Sequence, residues 1–248
     1  MSRPASPRRI TAGLAAALTI PLAGCIPTLA TDDPSSSATS ATPTGAGRPV
    51  DEATLASVMP AATDLHPEWQ DDTDGSPTSE VEKEDFSPPS CARTAAVGPE
   101  WEAMDQHERA EADHDYARPR GTYDTVDESL GLSITSYDQP YPTDLLDTRA
   151  EALADCPEYR LESDGEWVPY EVEHLSFPTL GDRTLAYRLV ARFELGGSET
   201  WYATLDVVTV VVGHNRISVT STALSGTPDP AISETAVRSV IDGLEQQP

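Results

Sequence analysis

The segment TLAYRLVARFEL, residues 184–195, alternates without a break. Leu185, Tyr187, Leu189, Ala191, Phe193 and Leu195 fall on one side. Thr184, Ala186, Arg188, Val190, Arg192 and Glu194 fall on the other. That is the period of a strand with one apolar face. Gly196-Gly197-Ser198-Glu199 then reads as a hairpin turn. TWYATLDVVTVVV returns, apolar on both faces toward its end, as a central strand requires. Gly213-His214-Asn215-Arg216 turns the chain again into ISVTSTAL. The sequence therefore specifies a three-stranded antiparallel meander. Asp229-Pro230 opens a final helix, a capping side chain followed by a residue suited to the first turn. Ile232, Ala236, Val237, Val240, Ile241 and Leu244 form one stripe on it, a face made to pack on the sheet.

Upstream, strands and helices do not alternate regularly. The fold class is α+β: a twisted antiparallel sheet of about five to six strands, with helices packed on it, including the C-terminal one. Asp51 caps a short helix to Pro60 that carries Leu55, Val58 and Met59 on one face. A second helix is predicted from Pro99 to Asp113. In LGLSITSY, Leu130, Leu132 and Ile134 share one side of a strand. PTDLLDTRAEALADCP reads as a helix capped by Thr143, with a stripe of Leu145, Leu146, Arg149, Ala150 and Leu153.

The chain begins with Arg3, Arg8 and Arg9, then an uncharged apolar run from Ile10 to Leu22 that closes in Leu22-Ala23-Gly24-Cys25. A basic head and a short apolar run make a secretory signal, too short to stay as a spanning helix. The closing tetrapeptide resembles a bacterial lipobox, in which the Cys25 sulfur receives a diacylglycerol and the signal is cut before it. Two or more acyl chains anchor a protein stably. Thr28 to Gly47 is Ser, Thr, Ala, Pro and Gly with two aspartates, too poor in apolar surface to order itself. The expected organisation is a signal peptide at 1–24, a lipid-anchored linker at 25–48 and one domain at 49–248. The expected location is the outer face of the cell membrane.

The 42 acidic residues outnumber the 16 Lys and Arg, for a net charge of −26. This excludes nucleic acid as a partner, because neutralising phosphates takes clustered cations. It equally opposes lying flat on anionic lipid. The three cysteines are Cys25, Cys91 and Cys156. Lipidation of the first leaves Cys91 and Cys156 as an even pair. In an exported chain this reads as a disulfide, the alternative being two buried thiols.

The motifs of the common enzyme classes are missing: there is no G-x-S-x-G, S-x-x-K, H-E-x-x-H or glycine-rich phosphate loop. QDDTDGS, set against a calcium loop, puts Gln70 at the first ligand position and Val81 at the twelfth, so both fail. On a helix, His107, Glu111 and His114 would share a face able to hold zinc, but DQHERAEADHD is polar all round and reads more simply as a solvated face. Arg188 and Arg192 share the polar face of their strand. They serve either an anionic ligand or the acids of neighbouring strands.

The order of LASVMPAATDLHPEW, a cysteine after SPPS, ITSYD, ALADCP, GDRTLAYRL and VVVGHNRISV resembles the PknH-like extracellular sensor domain of actinobacteria, over roughly residues 50 to 246. That family occurs outside receptor serine/threonine kinases and in stand-alone lipoproteins. The resemblance implies a twisted antiparallel sheet with helices against it and a ligand-binding cleft. It also implies that Cys91 and Cys156 correspond to the first of two sequential disulfides in the kinase member; the second pair is missing here. It brings no catalytic residues, cofactor or metal. The expectation is a monomeric, non-enzymatic, lipid-anchored surface domain binding a small molecule or envelope component. The alternatives are a structural or protein-interaction module of the envelope, or an enzyme with a dispersed carboxylate site.

Overall fold

The computed structural model describes residues 45–72, 82–119, 126–163, 165–195 and 199–247. The signal, Cys25 and most of the linker lie outside them. The strands are β1 (Gln70–Asp71), β2 (Phe86–Ser87), β3 (Glu108–Pro119), β4 (Val126–Tyr137), β5 (Glu158–Ser163), β6 (Glu166–His174), β7 (Arg183–Leu195), β8 (Glu199–Val212) and β9 (Asn215–Ala223). They form one antiparallel sheet in the order β1-β3-β4-β9-β8-β7-β6-β5-β2. The meander β7-β8-β9 lies at its middle. The sheet has nine strands and not the expected five to six. β1 and β2 are two residues each, too short to leave a periodic signal.

The helices are α1 (Glu52–Ser57), α2 (Ala62–Leu65), α3 (Pro99–Asp105), α4 (Asp144–Asp155) and α5 (Pro230–Glu245). Asp51 Oδ1 accepts from the Thr54 N–H, and Asp229 Oδ1 from the Ala231 N–H, so both capping side chains do what their sequence context suggests. Thr143 occupies the position before α4 but makes no capping bond with its side chain.

The predicted helix over 99–113 is half right. It stops at Asp105, and Glu108–Pro119 is a strand. Glu, Ala and Arg favour a helix locally. Pairing along β4 overrides that preference, with Ala112 opposite Ile134 and Tyr116 opposite Leu130.

The helices cover the two faces of the sheet at opposite ends. On one face, α1, α2 and α5 pack over β3, β4, β9 and β8. Leu55 and Leu65 meet Leu130, Leu132, Ile134, Val208, Val210, Ile217 and Val219 there, together with Ala236, Val237, Val240 and Leu244 of the α5 stripe. On the other face, α4 and the 3-10 turn Pro89–Ala95 cover β5–β7, burying Phe86, Ala92, Leu153, Tyr159, Tyr187 and Leu189. A Cys91–Cys156 disulfide joins that turn to the end of α4. Arg149 of α4 donates to the Thr94 carbonyl and to the Tyr187 hydroxyl, tying the same layer to the sheet. No helix among the described residues is long and apolar enough to cross a membrane.

Residues 45–48, assigned by composition to the linker, belong to the fold. Ala46 is buried, the Gly47 carbonyl accepts from the His214 N–H, and Asn215 Nδ2 donates to the Ala46 and Arg48 carbonyls. A run of Gly, Ala and Arg looks like linker because its partners lie on the distant β8–β9 turn. Gly213 makes that docking possible. Its φ is +58°, and a Cβ there would collide with the Gly47 backbone. Gly213→Ala should destabilise the domain by about 1–2 kcal/mol from the left-handed backbone alone, with the collision adding to it. A thermal melt of the variant checks this.

Candidate functional site

Because each helical layer covers only part of its face, the face of β5, β6 and β7 turned away from the disulfide carries no helix. Strand alternation and register decide which side chains stand on it. Tyr159, Tyr170 and Leu189 point into the disulfide-side core. Their neighbours Glu158, Arg160, Pro169, Glu171, Val190 and Arg192 therefore point to the open side.

These residues form rows across the strands. Glu158 lies opposite Glu171, and Glu171 opposite Val190. In the next row Ser87 lies opposite Arg160, Arg160 opposite Pro169, and Arg192 opposite Tyr202. Trp167, two residues before Pro169, stands on the same side of β6. Arg160 and Arg192 are two strands apart, about 10 Å at ordinary sheet spacing.

The resulting groove consists of two hollows that share Arg160, Pro169 and Arg192 as a common floor. One, of about 500 Å³, includes Glu158, Glu171, Val190 and Tyr202. The other, of about 450 Å³, includes Glu166 and Trp167. Trp167 is 46% exposed and Tyr202 56%, whereas Trp69 and Trp101 are buried in the cores. Phe193 and the 48% exposed Trp201 face each other across β7 and β8 on the opposite side of the sheet.

On the same face of β7 as Val190 and Arg192, Arg188 is held in an ion pair. Arg188 donates from Nε to Asp206 Oδ1 at 2.6 Å and from Nη2 to Asp206 Oδ2 at 2.8 Å, a two-pronged contact. Asp206 is fully buried. Its hydrogen bonds raise the Arg188 pKa above the ordinary guanidinium value, against the opposing effect of burial. Of the two readings open for Arg188, the acid of the neighbouring strand is the one realised. Arg192, two residues on and exposed, lines the groove.

The zinc arrangement does not form. On a strand, Glu111 and His114 are three residues apart and point to opposite faces. Glu111 accepts from Ser133 and Thr135. His114 Nε2 lies 3.1 Å from Asp71 Oδ1, and His107 Nδ1 lies 3.0 Å from Asp138 Oδ1. Each histidine thus pairs with a different carboxylate. The calcium-like stretch falls largely outside the described residues.

Arg160, Trp167 and Tyr202 were not singled out by the sequence. The signal available was the alternation in EYRLES and EWVPYEVEH, where polar residues interleave with Tyr159, Leu161, Val168, Tyr170 and Val172. Which polar residues meet depends on the pairing of β5 with β6, and a single sequence does not show that pairing.

No family model and no curated protein matches this sequence. Among solved structures, the chain is similar to the extracellular domain of PknH from Mycobacterium tuberculosis. The TM-score is 0.56 at 12% identity, covering 81% of this chain and all of that one. A putative uncharacterized protein from Mycobacterium smegmatis aligns with a TM-score of 0.39 at 16% identity, over 76% of this chain and 96% of that one. The chain therefore has the fold of the PknH extracellular domain, an α+β sheet domain with a C-terminal helix.

Proposed function

We propose that this protein is a lipid-anchored, extracytoplasmic sensor-like domain that binds a small molecule or envelope component in the groove on β5–β8, without catalysing a reaction. The observation that carries this reading is the offset helical cover. It leaves a sheet face bare, and that face presents exposed aromatic rings and opposed charges around a continuous hollow. Concave surfaces with convergent polar groups and aromatic walls mark binding sites. The fold shared with an extracellular domain supports the location. Leu22-Ala23-Gly24-Cys25 supports the anchor.

The groove also holds the one feature that would favour an enzyme. Glu158 and Glu171 are cross-strand neighbours, two carboxylates on one face. Both are exposed. A general acid is kept protonated by an apolar, water-excluding wall. Nothing among the described residues closes over this pair, so they serve as hydrogen-bond acceptors for a ligand.

Two measurements test the reading. Cys25→Ser should move the protein from the detergent phase to the aqueous phase of a partition, or leave it unprocessed. Wild-type protein wholly in the aqueous phase would end the anchor. For the groove, a crystal soaked with candidate envelope fragments should show density over Pro169 and Val190. Density only elsewhere would end the assignment.

A further inference from the structure

We infer that the groove takes a saccharide chain bearing a carboxylate, with sugar rings on Trp167 and Tyr202 and the acid on Arg160 and Arg192. This rests on the groove being the ligand site. The first argument is the aromatic pair. A large ring left about half exposed on an open sheet face forgoes burial that a core position would give. Trp167 and Tyr202 lie on β6 and β8, one on each side of Arg192. Their ring faces offer flat apolar platforms to a partner that is itself flat, with an apolar face and a polar rim. A pyranose ring has that build, with C–H groups across its face and hydroxyls around its edge.

The second argument is the mixture of donors and acceptors. Guanidinium groups donate and carboxylates accept, each in a planar, two-pronged geometry. Arg160 with Arg192 and Glu158 with Glu171 therefore match vicinal hydroxyls, which both donate and accept. A purely apolar ligand would match neither the guanidiniums nor the carboxylates. An extended peptide would seek an open strand edge, but this surface is a sheet face, and β2 covers part of the β5 edge.

The third argument selects an acidic sugar. This chain has 42 acids for 16 Lys and Arg. Arg93, Arg118, Arg183, Arg188 and Arg238 each hold a carboxylate. Arg160 makes no ion pair among the described residues, although acids are abundant. A guanidinium pairs two-pronged with a planar carboxylate, as Arg188 does with Asp206 in this chain. The shared floor of the two hollows gives a chain of rings a continuous track.

The test is calorimetric titration of the full chain with tetragalacturonate and, separately, with the uncharged tetra-N-acetylchitotetraose. Melting curves should first show each variant folded. The acidic tetramer should bind at least about tenfold more tightly than the neutral one. Arg160→Gln should abolish that preference, and Trp167→Ala should weaken both sugars by tenfold or more. Trp201→Ala, on the opposite face, should change neither. Equal binding of the two sugars overturns the carboxylate. Absence of binding by both overturns the saccharide. In that case, a Trp167-dependent response to the zwitterionic dipeptide glycyl-glutamate would leave the groove standing as a site for another class. Sugar binding indifferent to both Arg160→Gln and Trp167→Ala would remove the groove itself. Release of new reducing ends during the titration would make the groove catalytic and overturn its role as a binding site alone.

Discussion

Arg188→Gln should lower the stability of the domain by about 3–5 kcal/mol, the range found when one partner of a buried ion pair is removed. For a domain of this size that corresponds to a fall in melting temperature of roughly 6–20 °C. The reason lies in what remains. Asp206 is fully buried and holds both oxygens on the Arg188 guanidinium. Without it the carboxylate must stay charged in a dry site or take up a proton, and each alternative is unfavourable. Glutamine restores at most one donor. Arg192→Gln, exposed on the same strand face, should change stability by no more than about 0.5 kcal/mol. The double variant should then melt with Arg188→Gln alone. The complementary variant is Asp206→Asn, which leaves an amide against the guanidinium; it should also destabilise, and the pair should show strong non-additivity in a double-mutant cycle. A melting temperature for Arg188→Gln within a degree or two of wild type would mean that Asp206 finds another partner.

That contrast between two arginines shows where sequence reading stops. Their shared face follows from the alternation of residues 184–195. Their different roles follow from what stands opposite each. Asp206 on β8 is buried opposite Arg188, and exposed Tyr202 is opposite Arg192. Register between strands sets those neighbours, and a single strand carries no record of it. The same holds for Arg160, Trp167 and Tyr202, which come together only because β5, β6, β7 and β8 pair in this order.

The legible parts were those whose pattern is local and long. The α5 stripe buries Ala236, Val237, Val240 and Leu244, and the alternation of β4 buries Leu130, Leu132 and Ile134. The sequence predicts helix over residues 108–113, the first half of β3, because Glu, Ala and Arg dominate there. Its strand character comes from β4, and its burial is confined to small or intermittent residues such as Ala110 and Tyr116. Residues 45–48 look like linker in composition for a similar reason: their order comes from His214 and Asn215, far away in sequence. In each case a long-range backbone pairing outweighs a local preference worth a fraction of a kcal/mol per residue.

Removing the disulfide should have an effect of the same size, by a different route. Cys91 and Cys156 are both buried and close a loop of sequence separation 65. In the chain-entropy model, opening such a loop frees the unfolded chain by about 4 kcal/mol. The native side loses little beyond the bond, since Phe86, Leu153 and Tyr159 still pack around the site. Cys91→Ala and Cys156→Ala should therefore each lower the melting temperature by roughly 8–16 °C. The double variant should fall no further than the worse single, because both remove one bond. Reducing agent should bring wild type down to the variants and leave the variants unmoved. Arg149 supplies a control within the same layer. It links α4 to Thr94 and Tyr187 independently of sulfur, so Arg149→Met should destabilise oxidised and reduced protein alike. If the two cysteine variants added their losses, the thiols would be acting as two separate core residues. The layer over β5–β7 would then be held by packing and Arg149 alone, and the groove on the other side of those strands would keep its shape in reducing conditions.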